Sequence, residues 1–279
     1  MYPKALFLGM DLYTILLLVG VIACMVFARL LADRRRMRAQ LFNLVLFGAL
    51  FAVVLGYGSA ALFQSFYDYL ATGVFSLNSG TTFYGGLIGG TVAFLVLYFA
   101  AGHFLFPDGY HKAHLREVSD MAAPCITVAH GFGRLGCLMA GCCYGKPTDA
   151  WYGVTMVRLG YKVVPVQLFE ALFLLALAVI FFALFWKGKR YLLPSYMMAY
   201  GLWRIPAEIM RADDRGATVV DFLTPSQLIS ILLIIGGIAL LVVEVCLDRR
   251  AMKHTAQGMT ADPCLSPSDG AGEDAHGQD

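Results

Sequence analysis

The chain has 279 residues, 59% of them hydrophobic and only 14% charged, with a mean hydropathy of +0.68. Soluble domains carry about 25% charged residues, so this composition excludes a soluble globular protein and predicts an all-α, polytopic membrane protein. The net charge of +2 is spread over short loops, offers no concentrated basic patch, and gives no reason to expect nucleic acid as a partner.

In chain order, seven apolar stretches of about 20 residues are long enough to cross roughly 30 Å of hydrocarbon. They cover residues 10–32, 41–64, 84–106, 119–143, 165–186, 191–211 and 223–247. The first ends in a basic cluster without a small-residue cleavage site, so it reads as a retained span. Lys and Arg placement sets the orientation. With the N-terminus outside, the inner segments hold thirteen basic residues and the outer ones six. The expected topology is therefore seven transmembrane helices, N-terminus outside and C-terminus cytoplasmic. Residues 1–247 make one domain, and the polar tail 248–279 is expected to be disordered.

Residues 65–83 carry no basic residue and read as an amphipathic hairpin at the interface. Phe66, Tyr67, Tyr69 and Phe75 are its aromatic anchors. Residues 144–164 form a second outer arm with Trp151 and Tyr152 near headgroup level.

Residues 129–145 (AHGFGRLGCLMAGCCYG) organise the chain: an apolar run that carries a histidine, an arginine, three cysteines and five glycines. An arginine within a span costs at least a few kcal/mol and marks a functional site by default. His130 and Arg134 are four residues apart and share a helix face, which Cys137 continues. The planar guanidinium of Arg134 suits phosphate; the competing reading pairs it with Glu170 or Glu208. A second charged stripe, Tyr200, Arg204, Glu208 and Arg211, follows helical spacing in the sixth span, where Pro206 should bend the helix. Two arginines from separate spans exceed what one carboxylate needs and describe a site for a lipid phosphate. Gln167 and Glu170 open the fifth span and Asp120 the fourth; for Asp120 a helix-end role is expected.

Tyr84 opens the third span before two overlapping GxxxG pairs, Gly85/Gly89 and Gly86/Gly90. These suit a close helix seam, or they set the Tyr84 hydroxyl at a site mouth. Of the seven cysteines, Cys24, Cys125, Cys137, Cys142 and Cys246 fall in apolar runs, which argues against a secreted disulfide framework. The Cys137-x4-Cys142-Cys143 spacing matches no structural zinc pattern. Small apolar packing is the expected role, with a disulfide or reactive thiol as the alternative.

Taken together, these motifs resemble the prolipoprotein diacylglyceryl transferase family from about residue 5 to 245. The resemblance runs through Tyr84-Gly-Gly-Leu-Ile-Gly, Ser119 to Pro124, Gly133-Arg-Leu-Gly136 with Gly141 and Gly145, Val164 to Glu170, Tyr200 to Arg204 with Glu208 and Arg211, and Ser226 to Ser230. It implies a seven-helix bacterial inner-membrane enzyme without metal or organic cofactor. Such an enzyme moves the diacylglyceryl group of phosphatidylglycerol to the lipobox cysteine thiol of a prolipoprotein and releases glycerol phosphate. By resemblance, Arg134 and Arg204 hold the phosphate, with Glu208, Arg211, Tyr200, Gly85, Gly86, Gly145, Cys137 and Cys142 around the lipid. The chain departs from the pattern at Tyr84, where the family has His, and at Cys137 and Cys142, where it has Asn and Glu. The family's first-span tyrosine is expected to be replaced near Leu16. His130 or Tyr84 is the expected replacement base. The alternatives are a related transferase with another acceptor and a non-catalytic phospholipid-binding protein.

Overall fold

A computed structural model describes residues 9–76, 82–157, 159–212 and 224–260. The seven long helices are α1 (Leu12–Arg34), α2 (Ala39–Thr72), α3 (Phe83–Leu105), α5 (Leu115–Ala140), α6 (Val166–Trp186), α7 (Leu192–Ile209) and α8 (Pro225–Thr260), with a single turn, α4 (Tyr110–Ala113), between α3 and α5. Five of them, α1, α2, α3, α6 and α8, are long and apolar enough to cross a membrane. The chain is a multi-pass membrane protein: leucines, valines and phenylalanines along these helices stay largely exposed, as a lipid-facing surface requires.

The remaining pair, α5 and α7, carries Arg134 and Arg204. Helix α5 packs against α1, α6 and α7, while α8 packs on α7 and α2 on α3. The α2–α3 hairpin joins the bundle at one end through Leu41, Leu44, Tyr98, Phe106 and Val118. That end gathers the basic residues. Arg116 and Arg190 both pair with Asp248, Arg38 pairs with Asp108, and Arg35 donates to the Phe185 carbonyl. Buried Asp120 accepts from the Leu192 amide at 2.7 Å, so its helix-end role is to cap α7, not its own helix. At the opposite end Asp11 caps α1 by accepting from the Thr14 hydroxyl and amide, which hold its carboxyl below the ordinary value.

The GxxxG pairs form the α2–α3 seam. A Cβ added at Gly89 would lie 2.3 Å from the Ser59 Cβ, and one at Gly85 would lie 2.9 Å from the Ser59 carbonyl oxygen. Gly89→Ala is therefore expected to cost about 1–3 kcal/mol by overpacking. Thermal unfolding of the detergent-purified protein checks this, and an unchanged midpoint would mean the helices do not meet there.

Several boundaries differ from the sequence expectations. Residues 65–72 continue α2 and do not start an interfacial hairpin. No breaker intervenes until Gly73, whose φ of +74° ends the helix with its N–H on the Tyr69 carbonyl. Phe66, Tyr67, Tyr69 and Phe75 are exposed as anchors should be; residues 77–81 lie outside the described set. The 144–164 arm contains a small antiparallel strand pair, Val154–Thr155 with Lys162–Val163, in an otherwise helical fold. Helix α7 ends at Ile209, so Arg211 sits beyond it and not on its stripe. Helix α8 runs on to Thr260, through the start of the expected tail; residues 261–279 lie outside the described set.

Candidate active site

Helices α5, α6 and α7 meet around one carboxylate. Glu170, on the first turns of α6, has no exposed surface. The Arg134 Nε, from α5, lies 3.1 Å from its Oε1, and the Arg204 Nη1, from α7, lies 3.6 Å from its Oε2. The Tyr200 hydroxyl donates to Oε1 at 2.8 Å. Arg204 also donates through Nη2 to Glu208 Oε2 at 2.8 Å and to the Ser226 hydroxyl of α8 at 3.1 Å. The side chain of Arg204 is 6% exposed and that of Arg134 is 17%.

The local chemistry explains the convergence. Burying one guanidinium in an apolar bundle is prohibitive without a counter-charge. Glu170 supplies it to two arginines at once, while the i,i+4 pair Arg204–Glu208 adds a second. The pairing held as the alternative for Arg134 is thus present, through Nε. The Arg134 Nε, Arg204 Nη1 and Glu170 Oε2 are buried without an aligned hydrogen bond among the described residues. Ion-pair contact without alignment leaves donor capacity in the site.

His130, one turn before Arg134, packs its ring edge-on against Tyr200, with centroids 4.9 Å apart, and its Nδ1 lies 3.5 Å from the Tyr196 hydroxyl. Tyr84 begins α3, but its side chain lies outside the described set. Gly85 and Gly86 face α2, with the nearest atoms to an added Cβ belonging to Ser59, Ala60, Phe63 and Gly56. The structure places them in the seam and not against the arginines.

The 144–164 arm is tied down beside this centre. Gly145 bridges to Arg211, its amide donates to the Val164 carbonyl at 2.9 Å, and the Lys146 amide donates to Met210. A Cβ at Gly145 would fall 2.6 Å from the Val164 carbonyl oxygen and 2.8 Å from that of Met210, so no side chain fits there. This crossing carries Arg211, 6% exposed, to the Cys143 thiol. Cys137, Cys142 and Cys143 place their sulfurs within 4.8 Å of one another at the end of α5.

Two contacts emerge only in three dimensions. Ser226, which opens the Ser226–Ser230 stretch of the resemblance, reaches Arg204 from α8. Tyr13, three residues before Leu16, packs on Gly136, where an added Cβ would lie 3.0 Å from its ring. A tyrosine is therefore present at the N-terminal end of α1, beside the cysteine end of α5.

The family model for prolipoprotein diacylglyceryl transferases matches residues 3–243, nearly the whole described bundle. The chain belongs to this family. Among curated relatives, phosphatidylglycerol–prolipoprotein diacylglyceryl transferase 2 of Clostridium perfringens is 34% identical over 172 residues, 58% of this chain and 61% of the relative. The transferase of Clostridium tetani is 33% identical over 171 residues, 58% of this chain and 63% of the relative. The chain thus matches less than two thirds of the length of these two relatives. The transferase of Stenotrophomonas maltophilia is 31% identical over 280 residues, covering 87% of this chain and 91% of the relative. Membership in the transferase family accords with a bundle in which two arginines from separate helices meet one buried carboxylate.

Proposed function

We propose that this chain transfers the diacylglyceryl group of phosphatidylglycerol to the lipobox cysteine of a prolipoprotein in a bacterial inner membrane, releasing glycerol phosphate. The observation that carries this reading is the convergence of Arg134 and Arg204, from separate helices, on buried Glu170. The family names of the relatives supply the substrates. All seven long helices are then spans, with the basic end cytoplasmic and the N-terminus outside, as the distribution of Lys and Arg favours. Residues 1–247 form the catalytic domain and the remainder a cytoplasmic tail.

In the reaction the acceptor sulfur attacks the glyceryl carbon next to the phosphate. The S–C bond forms as the C–O bond breaks, and the departing phosphate gains negative charge. Arg134 and Arg204 offset that charge where it develops, in a site from which water is largely excluded. Glu170, Glu208, Tyr200 and Ser226 hold the two guanidiniums in place, and Arg211 with Gly145 closes the outer side. The thiol proton goes to a base, and His130 is the side chain best placed for it, on the face of Arg134 and against Tyr200.

His130→Ala is accordingly expected to lower kcat by about 10²–10⁴-fold with little change in KM for the lipid. Tyr84→Phe should leave the rate within a few-fold. Steady-state kinetics on both variants decides the point, and the opposite pattern would give the role to Tyr84.

The transfer itself is tested with purified protein, phosphatidylglycerol and a lipobox peptide. A peptide mass gain of one diacylglyceryl group, with matching release of glycerol phosphate, is the expected result. Lipid binding without transfer would favour a non-catalytic lipid-binding protein. Transfer to another thiol only would favour a related enzyme with a different acceptor, a reading to which the cysteines in place of the family's Asn and Glu lend support.

A further inference from the structure

The end of α5 holds a donor set that the transfer chemistry does not use. Cys137 lies on the last turn of the helix. Gly141 then takes φ +72° and ends it, and Cys143, a residue with a Cβ, also takes a left-handed φ of +63°. Two left-handed residues so close together turn the chain back on itself, and the Cys142 amide donates to the Cys137 carbonyl at 3.2 Å. Cys142 and Cys143 are thereby folded over Cys137, and all three sulfurs come within 4.8 Å of one another. Linear spacing conceals this, because neither neighbouring cysteines nor an x4 gap matches a familiar ligand pattern.

The turn is held from three sides. The Gln167 side chain donates to the Cys142 carbonyl from α6. Gly145, two residues on, is clamped between the Val164 and Met210 carbonyls. The Arg211 guanidinium faces the Cys143 thiol and would offset thiolate charge. The three cysteines are half-buried.

The chemistry selects the ligand class. Three sulfurs with no carboxylate or imidazole in the group disfavour Mg(II) and Ca(II), which prefer oxygen, and favour thiophilic d¹⁰ cations. With metal–sulfur bonds of about 2.3 Å, sulfurs on one trigonal or tetrahedral centre stand roughly 3.8–4.0 Å apart. The observed spacing needs only a small contraction. A disulfide would engage two of the three sulfurs and leave the mutual closeness of the third without a role.

We propose that Cys137, Cys142 and Cys143 form a three-thiolate site for one thiophilic cation of the Zn(II), Cd(II) or Cu(I) kind at the outer end of α5. Binding replaces three S–H protons, released to solvent, with three metal–sulfur bonds. No step of the transfer proposed above is routed through these sulfurs.

Reduced, metal-free, full-length protein in detergent is titrated with Cd(II), and thiolate-to-cadmium charge-transfer absorption is recorded. The expected result is saturation at one equivalent. Alkylation mapped by mass spectrometry should show Cys137, Cys142 and Cys143 protected by the metal, with Cys24, Cys125, Cys246 and Cys264 unaffected. Cys137→Ser, Cys142→Ser and Cys143→Ser should each weaken binding at least tenfold. The combined Cys24→Ser, Cys125→Ser, Cys246→Ser and Cys264→Ser variant should titrate like the parent. Equal alkylation of the three cysteines with and without saturating Cd(II) in the parent protein, which requires no variant to fold, would overturn the proposal. So would protein that isolates with a disulfide among them and, once reduced, fails to bind Cd(II).

Discussion

Arg204→Lys is expected to lower lipid transfer by about 10²–10³-fold, the loss typical of removing one preorganised donor from a developing anion. Lysine keeps the charge, so a purely Coulombic role would leave much of the rate intact. Arg204, however, uses the geometry of its fork: Nη2 holds Glu208 and Ser226 while Nη1 faces Glu170. An ammonium presents a point charge and cannot hold these directions together. Turnover of phosphatidylglycerol by the purified variant, against a parent control of equal thermal stability, measures the effect. A loss of only a few-fold would mean that Arg204 supplies charge and no more.

Glu170→Gln is expected to be the most destabilising single substitution in the site, at about 3–5 kcal/mol, because it leaves two buried guanidiniums facing a neutral amide. The carboxylate has no exposed surface, so solvent cannot screen the loss. Tyr200 loses its charged acceptor in the same step. Thermal unfolding in detergent should show a much lower midpoint for Glu170→Gln than for an exposed control such as Asp33→Asn. If Glu170→Gln melts with the parent, the carboxylate is neutral in the folded protein and does not organise the arginines.

Much of the bundle was legible because apolar runs of membrane length are bounded by arginines and glycines. The first run, read as 10–32, is Leu12–Arg34, and the fifth, read as 165–186, is Val166–Trp186. The end of α2 was not, since Phe-Tyr-Asp-Tyr is polar enough to suggest an interface yet contains nothing that stops a helix. Arg134 and Arg204 stood out because charge in an apolar run is costly. The centrality of Glu170 did not, because it follows from how α5, α6 and α7 cross and not from any spacing in one helix. The thiol cluster was hidden for a related reason: backbone turns, not helical periodicity, bring Cys142 and Cys143 back to Cys137. Gly85 and Gly86 illustrate the opposite case, in which spacing indicated a seam and the α2 contacts show one.

Complementation of a bacterium depleted of its own prolipoprotein diacylglyceryl transferase tests the central claim most directly, with lipoprotein modification read by mass spectrometry. The parent chain is expected to restore diacylglyceryl on the lipobox cysteine, while Arg134→Ala and Arg204→Ala, present in the membrane at parental levels, restore none. A parent chain that inserts at normal levels and modifies no lipoprotein, or alanine variants that modify as well as the parent, would contradict the assignment of this arginine site to diacylglyceryl transfer.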